Sequence, residues 1–454
     1  MSKLRIAFGF FKNDVQMKKG FQVILFGVLI FSNISVIKGQ YLSASDSAFN
    51  AGIPMTGRLW GLVFGDYYYK THADALNRGG GNQYSGIPKD RNAFQMRRIW
   101  LGYDYNFNKK FSAEILLAAE DNYPTGNPPT SSTTSGDELM NNKLAFYVKF
   151  ANFRIKNLWR GTDLIIGQQS TPAFKPSSDR IWSYRSIEKT LVDMRRTPAY
   201  DFGAGLQGTF DPNAGNYGYN LLVANGSGAK PPTNSYKWIY GDIWAKFFSQ
   251  KVIVDIFADY NKLNQSDSWH HSRQLIKGFI GYNTSPLTIG VEGFINHLKQ
   301  DVFATRISDG GTDTLNSVAS GASVFVHGDI VKGKLRIFAR FDHYSPTNKI
   351  NNDKYNKYVL NTTNFNDNSY SSVATSNTAA VATGDQTYTQ NFVTFGLDYM
   401  PMKNIHIMPN IWYIRYATQL SDDLNNTVNR NLASYAKGDY DLVCRITFFY
   451  TFGK

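Results

Sequence analysis

Gaps of alternating length separate the strand-like segments of this chain after residue 56. The short gaps are tight turns, and they lie at residues 108–110, 249–251, 283–286, 332–334 and 401–404. The gaps between them span roughly 12 to 40 residues and are rich in Gly, Asn, Ser and Thr. A transmembrane β-barrel with short turns at one end and long loops at the other has this pattern. A soluble sandwich has no reason to keep its long loops at one end, so we expect an all-β, up-and-down antiparallel barrel.

Apolar and polar side chains alternate within the segments. In residues 111–120, Ile115 and Leu117 fall on one face, whereas Glu114 and Glu120 fall on the other. The same alternation is clear in three later segments, at residues 252–260, 334–344 and 388–400. A basic side chain on the lipid face costs about 2–4 kcal/mol at midplane, so the charged face must meet water inside a wide barrel. The mean hydropathy is -0.34 although the chain contains 28 Tyr and 32 Phe. A barrel wall with one apolar and one polar face averages to such a value.

Sixteen segments fit this description, and each can cross a bilayer at a tilt. They lie at residues 58–69, 94–107, 111–120, 142–155, 163–169, 200–210, 216–225, 236–248, 252–260, 273–283, 286–297, 320–331, 334–344, 388–400, 404–417 and 436–452. An even number of strands places both chain ends on the short-turn side, as in bacterial single-chain barrels.

The last segment carries a family resemblance. Its apolar positions, which alternate with Asp441, Arg445, Thr447 and Thr451, are Tyr440, Leu442, Cys444, Ile446, Phe448, Tyr450 and Phe452. With the strand number and loop rhythm, this terminal strand resembles the outer-membrane porins, both general and phosphate-selective, over about residues 57–452. Porins end in an aromatic residue that the barrel-insertion machinery reads. This chain departs from that pattern by adding Gly453 and Lys454.

Residues 1–39 read as a signal peptide, with Met17 as the expected start. Lys18 and Lys19 supply the positive region, and an apolar run follows at residues 21–31. A retained anchor helix is the alternative, but the run is shorter than the ~20 residues that a span needs. We expect residues 40–56 to form a periplasmic N-terminal segment and residues 57–452 to form the barrel. The expected location is the bacterial outer membrane.

The third long loop, at about residues 170–199, is too apolar for a free surface loop. From Ser178 onwards it reads as one helix, with Ile187, Leu191 and Met194 on one face. A loop with an apolar face must dock, and the inside of the barrel is the nearest surface. In the general porins, which the chain resembles, this loop folds inward and narrows the channel.

Six basic residues of this loop form the predicted pore constriction: Lys175, Arg180, Arg185, Lys189, Arg195 and Arg196. They outnumber Asp179, Glu188 and Asp193, so the constriction would attract anions. The predicted pore wall comprises Arg98, Glu114, Lys149, Arg336, Arg340, Asp398 and Arg445. Inward positions of the whole wall are about balanced in charge. In the alternative interpretation, the loop arginines pair with wall carboxylates and only hold the loop in place.

Other chemistries find little support. The formal charge of +13 is spread without a basic stripe, which argues against nucleic-acid binding. His327 and His343 fall on opposite faces of their strands, and Cys444 is a single cysteine on the apolar face. The glycine-rich residues 78–82 and 226–230 lack the Lys-Ser/Thr and helix that a phosphate loop needs. We expect no enzymatic activity, no metal and no cofactor.

The sequence therefore predicts an outer-membrane porin that passes small hydrophilic solutes by passive diffusion, with weak anion preference. Its expected surroundings are outer-membrane lipid and lipopolysaccharide, and the resemblance implies a homotrimer. The second interpretation is a non-conducting barrel that acts as a scaffold or partner subunit of a surface or secretion complex. A third is an outer-membrane hydrolase.

Overall fold

The computed structural model describes residues 57–74, 83–84, 87–120, 139–140, 143–195, 198–232, 234–265, 270–284, 286–306, 308–345, 354, 389–417 and 440–453. The predicted signal peptide and the segment at 40–56 lie outside these residues, as does nearly all of the long Asn-, Ser- and Thr-rich loop at residues 345–388.

Sixteen antiparallel strands form one closed barrel, which confirms the predicted fold class and strand number. The strands are β1 (Gly57–His72), β2 (Asn92–Asn106), β3 (Phe111–Glu120), β4 (Tyr147–Trp159), β5 (Thr162–Ser170), β6 (Tyr200–Thr209), β7 (Tyr217–Ala224), β8 (Trp238–Phe247), β9 (Val252–Gln265), β10 (His270–Asn283), β11 (Leu287–Thr305), β12 (Thr312–Val331), β13 (Leu335–Ser345), β14 (Thr389–Met402), β15 (Ile405–Ala417) and β16 (Tyr440–Phe452). Each strand pairs with its neighbour in sequence, and β1 closes the barrel against β16. A small ladder pairs residues 139–140 with residues 143–144.

Two of the predicted long loops are short because their strands run on. β9 and β10 are separated only by residues 266–269, and β11 and β12 only by residues 306–311. β12 has 20 residues, more than the twelve that the alternation indicated. The sequence beyond the apolar band is polar, so hydropathy gave no reason to extend these strands there.

The outer face of the barrel is apolar. Ile243, Ile256, Ile295 and Ile446 expose between 50% and 64% of their surface there. Cys444 is also exposed on this face. Their sequence neighbours point inward, as the two-residue period of a strand requires.

The inner face carries the buried side chains, because two loops and their aromatic residues occupy part of the lumen. The third loop contains two helices of five residues each, α1 (Ser178–Trp182) and α2 (Leu191–Arg195). Within the described residues, no helix is both long and apolar enough to cross a membrane.

Two register shifts change which side chains face inward. Phe64 pairs with Arg98 and Gly65 pairs with Met96, so Arg97 is the extra residue of a bulge between β1 and β2. A second bulge, between β3 and β4, leaves Lys149 as the extra residue. A bulge places two consecutive residues of one strand opposite one residue of its partner. Arg97 and Arg98 are accordingly both buried, as are Lys149 and Phe150.

Candidate functional site

The third loop leaves and rejoins the barrel wall at a closed base. The backbone N–H of Thr171 donates to the carbonyl of Ala199 at 3.2 Å, and the Thr171 hydroxyl donates to the carbonyl of Pro198 at 2.6 Å. The third loop therefore leaves the wall and returns to it at one point.

The single helix expected from Ser178 onwards is wrong. Ser183 has φ of 56° and ends α1 in the left-handed region, and Ile187 lies outside both helices. Ser177 occupies the cap position without a side-chain cap bond, because its hydroxyl bonds to Asp255 on β9 instead. Contacts with the wall thus override the helical pattern.

The apolar side of the loop packs against the inner face of β7–β16. Phe174, Leu191 and Val192 join one buried cluster with residues of β7–β13. Ile181, Trp182, Tyr184 and Ile187 join a second cluster, whose wall members are Ile253, Phe279, Phe325, Phe338 and Met408. The ring of Trp182 lies 5.1 Å from that of Phe325. The loop therefore lies within the barrel and covers this part of its wall.

Three wall arginines hold the loop by its backbone. Arg97 donates to the carbonyl of Ser186 at 2.8 Å, Arg445 to that of Ile187 at 2.7 Å, and Arg340 to that of Lys189 at 2.6 Å. We call Arg97, Arg340 and Arg445 the carbonyl clamp. Lys277 makes a similar bond to the carbonyl of Ala173. Irregular backbone has unpaired carbonyls that need donors when buried, and the wall supplies these donors.

Glu188 lies at the centre of the clamp. Its carboxylate accepts a hydrogen bond from the indole N–H of Trp412 at 2.9 Å. Burial opposes ionisation of this carboxyl, but Arg97, the Trp412 bond, Arg445 and Arg340 together hold its pKa below the usual value. Glu188 therefore stays charged and balances the clamp.

The basic residues predicted for the constriction differ in their partners and in their exposure. Arg185 pairs with Asp179 at 2.9 Å and with Asp193, both of its own loop. Lys175 lies 4.2 Å from the ring centroid of Phe150, Lys189 is half-buried, and Arg180 is exposed. Arg196 and the side chain of Arg195 lie outside the described part of the chain.

The facing wall, on β2–β4, carries a compact charged group. Glu120 pairs with Lys149 at 2.6 Å and with Arg98 at 3.0 Å. All three side chains are buried. Glu114, also on β3, is half-buried and accepts a hydrogen bond from Asn152 at 3.1 Å.

The other predicted wall residues lie apart from this group. Arg336 pairs with Asp329 at 2.8 Å, and Asp398 accepts hydrogen bonds from the Tyr184 hydroxyl at 3.1 Å and from His406 at 2.9 Å. Arg340 and Arg445 belong to the clamp. The predicted pore wall is thus divided: Arg340 and Arg445 bind the third loop in the clamp, Asp398 contacts the same loop, and Arg98 and Lys149 surround Glu120. Glu114 and Arg336 instead bond to neighbours on the wall, Asn152 and Asp329.

Sequence reasoning missed an inward contribution from the first loop. Tyr84 is fully buried; its hydroxyl donates to Asp66 at 2.9 Å, and its carbonyl accepts from Lys70 at 2.7 Å. Arg445 also donates to the Tyr84 hydroxyl at 3.1 Å. A lone tyrosine in a glycine-rich loop gives no periodic signal, so nothing in the sequence marked it.

Among the described residues, no group of three or more His, Cys, Asp or Glu side chains could hold a metal ion. His327 faces inward and contacts the carbonyl of Ile181 at 3.0 Å, whereas His343 lies on the outer face beside Asn391.

No protein-family model matches the sequence, and no curated protein is similar to it by sequence. Among solved structures, the fold is similar to that of the outer-membrane channel DcaP of Acinetobacter baumannii. The TM-score is 0.53 at 11% identity, covering 92% of this chain and 100% of that one. A loop-L8 deletion mutant of OmpT, an outer-membrane protein of Vibrio cholerae, gives a TM-score of 0.50 at 10% identity, covering 88% of this chain and 100% of that one. These likenesses concern the fold, and they confirm the porin-like barrel expected from the sequence.

Proposed function

We propose that this protein is an outer-membrane porin through which small hydrophilic solutes diffuse passively. On export, the signal peptide is removed and the barrel inserts among outer-membrane lipid and lipopolysaccharide. The observation that carries the proposal is the position of the third loop. It covers the wall on β7–β16 and leaves Lys175, Arg185 and Lys189 on the side of β2–β4, where a narrowed passage fits.

Weak anion preference follows from the charges at this passage. The loop contributes Lys175, Arg185 and Lys189, and the wall contributes Arg98 and Lys149. The carboxylates close to them are fewer: Asp179, Asp193 and Glu120. A modest positive excess at a narrow, low-dielectric point favours anions without excluding cations.

Nearer the short-turn end, two pairs of opposite charges lie on the inner wall. Arg58 pairs with Asp104, and Arg154 pairs with Asp163 at 2.9 Å. Such pairs are hydrated but have no net charge, so they do not favour anions over cations. Selection would therefore depend on the passage beside the third loop.

Planar-bilayer recording of the refolded protein tests the proposal. We expect open channels whose reversal potential in a salt gradient indicates a small preference for chloride over potassium. Liposome swelling with sugars of graded size would give the size limit. A preference for potassium would contradict the anion proposal, and sealed barrels would contradict the porin proposal.

The filled lumen favours a second candidate, a non-conducting scaffold or partner subunit. Tyr84 from the first loop and Trp182 from the third loop are both fully buried inside the barrel. If these loops meet the opposite wall without a gap, the barrel is sealed. Folded protein that inserts into bilayers without conductance steps would favour this candidate.

The resemblance to general porins supports a homotrimer as the assembled form. The outer face of β14–β16 offers an apolar surface for such contacts, including Phe395, Ile411 and Ile446. Light scattering of the detergent-solubilised protein, corrected for bound detergent, distinguishes a trimer from a monomer.

A further inference from the structure

Glu120 sits in a ring of donors that converge on its carboxylate. Lys149 donates at 2.6 Å, and the Nε atom of Arg98 lies at 3.0 Å. The indole N–H of Trp100 donates a short hydrogen bond, and the hydroxyl of Tyr147 donates at 3.4 Å. A charge-assisted hydrogen bond from Lys149, an ion pair with Arg98 and hydrogen bonds from Trp100 and Tyr147 together form the recognition pattern of a carboxylate receptor.

This donor ring is enclosed, and one of its cations has donors that Glu120 does not satisfy. The side chains of Arg98, Glu120 and Lys149 are 6%, 4% and 3% exposed. Within the described residues, the buried Nη1 atom of Arg98 has no hydrogen-bond partner. A buried donor without an acceptor is costly, so the ring has capacity for a further oxygen atom.

Aromatic rings hold the two cations in place. The guanidinium of Arg98 lies 5.1 Å from the ring centroid of Trp100, and the ammonium of Lys149 lies 4.8 Å from that of Tyr200. Cation–π contacts stabilise cations without consuming all their donors. The cations would therefore stay in position if the carboxylate between them were exchanged.

We propose that Arg98, Lys149, Trp100 and Tyr147 form a binding site for the carboxylate group of small organic anions, and that Glu120 is its tethered occupant. The ligand class follows from the occupant, because the protein's own carboxylate is the group that the donors fit. The proposed role in passage rests on the proposed porin function. A permeating carboxylate would exchange with Glu120 beside the third loop, and the resident charge would keep the anion preference weak.

Glu114 provides a matched comparison. It lies on the same strand and faces inward, but its carboxylate accepts one hydrogen bond from the amide of Asn152. Removing either glutamate changes the wall by the same charge. Only removal of Glu120 empties the donor ring.

The test is chemical rescue of Glu120→Ala by acetate, which replaces the atoms that the substitution removes. Glu114→Ala and the wild type serve as controls. We expect Glu120→Ala to unfold in detergent at a lower temperature than the wild type. Replacing chloride by acetate at constant ionic strength should restore much of that difference with a saturable dependence, while leaving both controls unchanged. Equal effects of acetate on all three proteins, or no rescue, would overturn the site.

If Glu120→Ala folds neither with nor without acetate, the isosteric pair Glu120→Gln and Glu114→Gln decides. The anion-to-cation permeability ratio should rise several-fold more in Glu120→Gln than in Glu114→Gln, with acetate slowing chloride passage only in Glu120→Gln. Equal ratios would overturn the site. Rescue of stability requires no conductance, so a sealed wild-type barrel with acetate rescue would refute the porin function and keep the site.

Discussion

At the scale of single residues, the backbone carbonyls of the third loop depend on guanidinium donors from the wall. Arg340 donates to the carbonyl of Lys189, and removing such a bond to a charged group costs about 1.5–3 kcal/mol. We predict that Arg340→Leu loosens the loop, so that single-channel current becomes noisier and larger. Trypsin should then cut after Arg180 or Lys189. Arg154→Leu is the control, because Arg154 pairs with Asp163 away from the loop. Equal protease resistance in both variants would argue against the clamp.

The charge of Glu188 adds a pH dependence to this attachment. Its pKa is held below the usual value: burial opposes ionisation, but Arg97, the Trp412 N–H, Arg445 and Arg340 outweigh it. A depressed folded-state pKa stabilises the structure above the unfolded-state value of about 4.3, and this contribution disappears as pH falls through the folded-state value. We predict that channel noise is constant from pH 7 to about pH 5 and rises only below about pH 4. Glu188→Gln should show raised noise already at pH 7. A noise increase centred near pH 6 would implicate another group.

At the scale of elements, the third loop and the barrel are separable. The base bonds between Thr171 and the segment at 198–199 would close a shortened loop without disturbing β5 or β6. We predict that replacing residues 173–197 by a short Gly/Ser link leaves the strand content intact, raises conductance several-fold and reduces the anion preference towards that of free solution. Circular dichroism and bilayer recording measure these effects. Unchanged conductance would mean that the loop does not define the narrowest point.

The elements that the sequence predicted are those with a short-range pattern. Two-residue alternation and turn residues are local properties, so sixteen strands and a barrel could be predicted from them. A bulge inserts one extra residue into a strand and interrupts the two-residue alternation. The alternation therefore could not predict that Arg97 faces inward beside Arg98. The helix expected after Ser178 was wrong because wall contacts determine the loop's backbone.

Charge counting predicted that cations cluster at the third loop, but it could not predict their partners. Arg185 pairs with carboxylates of its own loop, whereas wall arginines bind loop carbonyls. Carbonyls have no sequence signature, because every residue has one. The inward position of Tyr84 could not be predicted for a related reason. Its bonds to Asp66 and Lys70 join a loop to a strand, and no short-range sequence pattern marks such a contact.

At the scale of the whole molecule, the outer face determines where the protein can reside. The aliphatic band of β9 is centred on Ile256, which is 61% exposed and has Val254 and Ala258 on either side of it on the same face. In water, substitution at such an exposed position changes stability by less than about 0.5 kcal/mol. In hydrocarbon, a lysine at midplane costs about 2–4 kcal/mol, and one near the interface costs about 0–1 kcal/mol.

We therefore predict that Ile256→Lys destabilises the protein in lipid vesicles by about 2–4 kcal/mol, while Val252→Lys, at the first residue of the same strand, costs at most about 1 kcal/mol. Reversible denaturant unfolding in vesicles, followed by tryptophan fluorescence, measures both. The difference between the two variants carries the argument, because both add the same charge to the same face. Costs below about 0.5 kcal/mol at both positions would indicate that this face contacts water and that the barrel does not span a bilayer.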